Sequence, residues 1–223
     1  MWTPPVLAHG GRTWHHPAMG DSRPTVNRRD RLADVTARIV ADVGLTGLNM
    51  RHVAAAAGVT TGSVTHHFPD RRALLVFTFE TSLAKVRDQN EADLAASDDR
   101  LRTRLTIGLP LDEDRLVHWR LLCALVLGVG SDRELAELQR NAYSSYLDEI
   151  ETCLRDEVTA ERMPADLDVP TEARRLMAVM DGVAIQTLFD ESQWPPERQL
   201  QILDAQLTDL RSANEGMRPT RRP

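Results

Sequence analysis

Between Val26 and Ser212, apolar side chains keep returning at intervals of three and four residues, and no stretch alternates in twos with Val, Ile and Thr. That periodicity puts an apolar stripe on one side of a helix and is incompatible with half-buried strands, so an all-α fold follows. The longest uninterrupted apolar run, Leu121 to Gly130, has ten residues, whereas a helix needs about 20 to span a bilayer. No membrane span is expected. Met1 to Gly20 also lacks a charged start followed by an apolar stretch, so a cytoplasmic location is expected. Cys123 and Cys153 are the two cysteines, too few for a disulfide scaffold or a metal-ligand spacing, which agrees with a reducing compartment.

Four segments are expected: a disordered tail at 1–22, a small domain at 23–72, a larger body at 73–215 and a second loose tail at 216–223. The first tail is rich in Pro, Gly and His, and Met19 offers an alternative start. Charge divides the chain in the same place. Arg23 to Arg72 holds eight arginines and four aspartates, a surplus of four positive charges; Ala73 to Glu215 holds fifteen Lys and Arg against twenty-eight Asp and Glu. A basic unit on an acidic body points to a polyanion at one end.

Within the basic unit the spacing predicts a helix over about 26–43, with Leu32, Val35, Ile39 and Val40 on one face and Gly44 at its end. Asn49 can cap a short helix, Met50 to Ala57, whose Val53, Ala54 and Ala57 form a narrow stripe closed by Gly58. Thr60 can cap another, Thr61 to His67. Two short helices, a tight turn and small alanines that let the backbones approach make a helix-turn-helix, whose second member enters the major groove of DNA.

The run MRHVAAAAGVTTGSVTHHFPDRRALL, Met50 to Leu75, resembles the DNA-binding signature of the TetR family of transcriptional regulators. Ala57, Gly58, Val59, Gly62, Val64, His67, Phe68, Arg71 and Leu74 match in type and spacing. The DNA-facing set is then Thr60, Thr61, Ser63, Thr65, His66 and His67, short donors and acceptors suited to base edges and phosphates. His66 is expected to face the groove and His67 the seam of the small domain. Thr65 stands where the family commonly has a tyrosine, which implies a shorter phosphate anchor. Arg28, Arg29, Arg51 and Arg71, or Arg72 beside it, are expected to position phosphates, each neutralised phosphate adding about 0.9 to the slope of log affinity against log salt. A single arginine among them equally suits a solvated face. A metal is not expected: adjacent His66 and His67 point about 100° apart and cannot share an ion.

In the body, a long helix is expected after Pro69 and Asp70 as far as about Ala95, and others from Asp98 to Leu109, Asp112 to Val129, Asp132 to Arg162, about Thr171 to Glu191, and from Pro195 and Pro196 to about Ser212. Nine helices in this order resemble the TetR layout, and the DGVAIQ segment with an acidic cap before a Trp-bearing helix resembles the BetI-like branch. The resemblance implies an apolar cavity for an unidentified small-molecule inducer, with Phe77, Trp119, Leu122, Cys123, Val126, Tyr143, Tyr146 and Met177 as candidate lining. Core packing is the competing role for most of them. Aromatic residues make up 4% of the chain, so Trp119 beside a tyrosine would be a concentrated feature, open to a quaternary ammonium or to any hydrophobic ligand.

The resemblance also implies a homodimer through the last two helices, with Met180, Val183, Ala184, Leu200, Leu203, Leu207 and Leu210 at the interface. The competing reading buries that stripe in its own subunit. Two recognition helices one DNA turn apart call for a palindromic double-stranded operator, released when ligand favours splayed heads. Catalysis is not expected, nor is a cofactor. Nucleophile elbow, phosphate loop, zinc-spaced His and Glu, and dinucleotide fingerprint are all missing, and Asp112, Glu113 and Asp114 read as a helix start. The remaining alternative is a TetR-like activator, or a ligand-binding module without normal operator contact.

Overall fold

The computed structural model describes residues 27–128 and 132–215. Both expected tails, and the end of the sixth helix at Val129 and Gly130, lie outside the described residues. Those residues form nine α helices and no strand: α1 (Arg28–Gly47), α2 (Met50–Ala57), α3 (Thr61–His67), α4 (Arg71–Ala96), α5 (Arg100–Ile107), α6 (Glu113–Gly128), α7 (Arg133–Thr159), α8 (Val169–Phe189) and α9 (Pro196–Glu215). None of the helices is long and apolar enough to cross a membrane.

Side-chain oxygens start the helices. Asn27, Asn49, Thr60, Asp70, Asp99, Asp132 and Asp168 each accept a first-turn backbone N–H, a contribution of about 1 kcal/mol per cap. Several expected boundaries move by two to four residues, and two of the shifts have a visible cause. Gly44 does adopt φ 71°, but a further turn carries α1 on to Gly47. The eighth helix begins at Val169 rather than Thr171, because Pro170 sits in its first turn, where a missing N–H costs no helical hydrogen bond.

The three N-terminal helices enclose Leu32, Val40, Val53, Ala54, Val64 and Phe68, all nearly inaccessible. At φ 67°, Gly58 turns the chain so that the Val59 N–H reaches the Ala54 carbonyl at 2.9 Å. This core does not end with the small domain. It runs without interruption through Leu74 and Phe79 of α4 into Val117, Leu121 and Leu125 of α6, and α1 packs along both helices. Each leucine fully buried there contributes about 2 kcal/mol. Polar links edge the same seam. Lys85 pairs with Asp34, Arg38 with Asp114 at 3.0 Å, and Arg72 with Asp132 at 2.6 Å and with Glu134.

A second core lies farther along the body, where α5, α7, α8 and α9 bury Leu101, Leu105, Ile150, Leu154 and Leu176. It also takes in the stripe expected at a dimer interface. Met180, Val183, Leu203, Leu207 and Leu210 are buried against their own subunit, Leu200 is packed beside them, and Ala184 is fully covered. Because α5 lies under α9, the leucine stripe finds its partner within the chain. The outward side of α8 instead carries Ala178, Gly182, Ile185 and Phe189, with Phe189 80% exposed; Ile202 of α9 is also exposed.

Ion pairs fasten α9 to that body: Arg102 with Asp204 at 2.6 Å, and Arg211 with Asp99 at 2.9 Å and Glu157 at 3.5 Å. Burial alone would push the Asp99 carboxyl up, but the Arg211 hydrogen bond and the Arg102 N–H outweigh it and hold the group below its ordinary range. A depressed carboxylate stabilises the fold above its unfolded value of about 3.9 and loses that contribution as pH falls through the folded value. Asp99→Asn is therefore expected to cost about 1 kcal/mol at neutral pH, allowing for solvent screening, and to flatten the decline in stability below about pH 4. Urea unfolding of both proteins at neutral and acid pH checks this.

Candidate nucleic-acid interface and body cavity

Helix α3 sits on the small domain with Val64 and Phe68 turned inward, four residues apart and essentially inaccessible. That anchoring turns the other side out: Thr65 and His66 are exposed, and Thr61, Ser63 and His67 are half-buried. Two of the hydroxyls already have work. Thr60 accepts from the Ser63 N–H at 3.2 Å as the cap, and Thr65 donates back to the Thr61 and Gly62 carbonyls at 3.2 Å each. Their remaining acceptor capacity, with Thr61, Ser63 and the exposed imidazole of His66, is what the outer face offers.

Arg28 and Arg51 are exposed at the starts of α1 and α2. Arg29 is exposed but stacked, its guanidinium 4.3 Å from the Phe77 ring centroid and 5.1 Å from that of Phe68. This holds a long side chain in one orientation at little entropic cost. Arg71 donates to the Leu45 carbonyl, which joins the start of α4 to the end of α1. Arg72, the other phosphate candidate at this site, is engaged by Asp132 and Glu134 of the body. Among the described residues no group of three or more His, Cys, Asp or Glu could hold a metal ion.

A cavity of about 820 Å³ lies in the body among α4, α5, α6, α7 and α8. Of the expected lining, Trp119, Leu122, Cys123, Val126, Tyr143, Tyr146 and Met177 reach it, and Phe77 does not. Phe77 faces the other side of α4, where its ring lies 5.3 Å from Phe68; Phe79, two residues on, contributes to the cavity instead. Met180, read as an interface residue, also lines it.

Hydrogen bonds set the shape of the wall. The Trp119 indole N–H donates to the Gly108 carbonyl at 2.9 Å, and the Tyr146 hydroxyl donates to the Arg104 carbonyl at 2.8 Å. At Gly108 a Cβ would come within 2.3 Å of the Met180 methyl and 2.6 Å of the Tyr146 hydroxyl, so a larger residue there would displace both side-chain ends from the wall. The mouth carries Val126, Tyr143 and Ile185, all exposed.

Several lining groups escape a reading of sequence. His118 is neutral, its pKa pushed down to about 4 by burial, and its Nδ1 lies 2.7 Å from the Ser82 hydroxyl on α4. Glu149 is paired with Arg104 at 2.8 Å. Gln139 has a buried, unpartnered side-chain nitrogen. Asp181 of α8 is pushed up to about 6 by burial and has no hydrogen bond or ion pair among the described residues. The legible signal for Asp181 was its place as the one acid in the apolar stretch 176–185. A smaller crevice of about 170 Å³ lies between α1, α4 and α6, and Val86 and Arg115 border both spaces.

Asp181 keeps its proton in the folded chain up to about pH 6, while the unfolded chain releases it near 3.9. Stability therefore falls as pH rises between those values. Asp181→Asn is expected to remove that fall and to stabilise the protein near neutral pH by about 1 kcal/mol, after discounting for partial exposure. Thermal unfolding across pH 4 to 8 checks it; a variant that loses stability at neutral pH contradicts it.

Comparison with known proteins accords with this arrangement. The family described as "Bacterial regulatory proteins, tetR family" matches residues 32–76, and "BetI-type transcriptional repressor, C-terminal" matches residues 97–212, more than half of the chain. The HTH-type transcriptional regulator BetI of Rhizobium meliloti (strain 1021) is 26% identical over 197 residues, covering 87% of this chain and 95% of its own. A transcriptional regulator from Rhodococcus sp. Rha1 superposes with a TM-score of 0.70 at 28% identity, over 83% of this chain and 97% of that one. One from Saccharomonospora viridis, in complex with choline, superposes with a TM-score of 0.75 at 21% identity, over 81% and 95%. The chain belongs to the TetR family of transcriptional regulators, a family of regulators rather than of enzymes, with a C-terminal half of the BetI type.

Proposed function

We propose that this regulator is a cytoplasmic homodimeric repressor that binds a palindromic operator through α3 and is released when a small molecule occupies the body cavity. The observation that carries the reading is the unbroken apolar core from α2 and α3 through α1 and α4 into α6, the helix that supplies Trp119, Leu122, Cys123 and Val126 to the cavity. A change in the cavity wall is then felt at the reading head without any flexible link. Ser82 and His118 bridge α4 to α6 in the same place.

The DNA-facing set in this reading is Thr61, Ser63, Thr65 and His66 on α3, with Thr60 and His67 at its ends. Arg28, Arg29, Arg51 and Arg71 take phosphates. Trp119, Leu122, Cys123, Val126, Tyr143, Tyr146 and Met177 meet the effector. For the dimer, the support lies with the outward face of α8, Ala178, Gly182, Ile185 and Phe189, and with Ile202 of α9, because an 80% exposed Phe189 beside small residues suits close helix contact. A twofold pair of heads would sit about 34 to 36 Å apart, one turn of DNA. The choline complex belongs to the Saccharomonospora viridis protein, whose likeness to this chain is one of fold.

A second reading, a family member without normal operator contact or one that activates, is favoured by one observation: the Thr65 hydroxyl turns back onto its own helix. Replacing Thr61, Ser63 and His66 together with Ala separates the two. The first reading expects loss of retention on promoter fragments from the gene's own flanking DNA, with dimer size unchanged in size-exclusion chromatography. Unaltered retention would contradict the groove assignment, and absence of retention by the wild type would favour the second reading.

A further inference from the structure

The body cavity contains two carboxylates in very different states. Glu149 is neutralised by Arg104 at 2.8 Å. Asp181 lines the same space with no hydrogen bond and no ion pair among the described residues. We propose that the cavity takes a protonated amine carried on an extended apolar body, the ammonium donating a hydrogen bond to the Asp181 carboxylate. This rests on the effector reading of the cavity and names its ligand class.

The charges around the cavity select the sign. The charge of Arg104 is paired with Glu149, although its Nε is buried without an acceptor among the described residues, and Arg115 is engaged by Asp112 and the Thr106 carbonyl. Arg87 donates to Ser145, and both Arg87 and Arg140 are exposed at the rim. Water already solvates rim cations, so an anionic ligand gains little there. Asp181 is different, because it is half-buried in the cavity wall and no hydrogen bond or ion pair among the described residues compensates its carboxylate. A cation placed against it restores the lost solvation and makes a charge-assisted hydrogen bond in a medium of low polarity. A neutral or anionic occupant would leave the carboxylate uncompensated.

The remaining wall fits the rest of such a molecule. Trp119, fixed by its bond to Gly108, and Tyr143 offer aromatic surface that suits both an ammonium and alkyl groups. Leu83, Leu122 and Ile185 add apolar surface. At about 820 Å³ the space is that of a drug-sized ligand and far exceeds a bare ammonium head. Gln139, with its amide nitrogen buried and unpartnered, leaves a second polar point for an acceptor on the same molecule.

The test is calorimetric titration of the full chain near neutral pH with decylamine, decanol, decanoate and choline, each below its micelle concentration. Decylamine is expected to bind at least about tenfold more tightly than the other three, as one charge-assisted hydrogen bond and the apolar chain together require. In Asp181→Asn its affinity is expected to drop by about tenfold or more, while decanol changes by less than about twofold and so reports an intact cavity. Tighter binding of decanoate, or an unchanged decylamine affinity in Asp181→Asn, would overturn the ligand class and leave the effector cavity standing. Equal affinity for choline would overturn the need for an apolar body. Failure of all four probes would overturn the effector reading itself, and this proposal with it.

Discussion

The apolar core shared by α1, α4 and α6 is the constraint on which the rest of the molecule depends. Leu32, Leu74, Phe79, Leu121 and Leu125 are each 1% exposed or less, and they come from both sides of the boundary drawn by charge at Arg72 and Ala73. A basic head and an acidic body are thus electrostatically distinct and mechanically one. Close packing of this kind resists continuous deformation and moves between discrete arrangements. The head therefore has a defined orientation on the body, which sets the spacing of two heads in any symmetric pair.

The same constraint gives the proposed regulation its route. Helix α6 presents one side to the shared core and the other to the cavity, and Val86 and Arg115 border both the cavity and the crevice under α1. An occupant that prefers one arrangement of α6 changes the grip on DNA only by that preference, typically about 1 to 3 kcal/mol. The Lys85–Asp34 and Arg38–Asp114 pairs edge the seam where such a shift would be felt, but exposed pairs of this kind contribute little by themselves. In the proposed regulation the coupling runs through the leucines rather than the ion pairs.

Most of the fold was legible in the sequence because local rules decided it. Periodicity, caps and glycines put α2 and α3 at their observed ends, and the inward turn of Val64 and Phe68 follows from a spacing of four. The cavity wall from Trp119 to Val126 was legible for the same reason, since those residues share a helical face. What escaped depends on which helix packs on which. Phe77 and Phe79 lie two apart on opposite sides of α4, and only the placement of Arg29 and Phe68 shows which one leaves the cavity. The leucines of α9 are as consistent with a partner subunit as with α5, and the contact with α5 buries them. Asp181 and His118 carry no motif; their character comes from burial, a tertiary property.

Selection of the full chain against a pool of random duplexes, with no assumption about its operator, tests the central claim most directly. Heads fixed on a paired body are expected to enrich an inverted repeat whose half-sites keep a single spacing, about one turn or 10 to 10.5 base pairs between centres or a whole multiple of it. Half-sites recovered at variable spacing would contradict the fixed head, and a pool that shows no enrichment would contradict the assignment of α3 as the reading element.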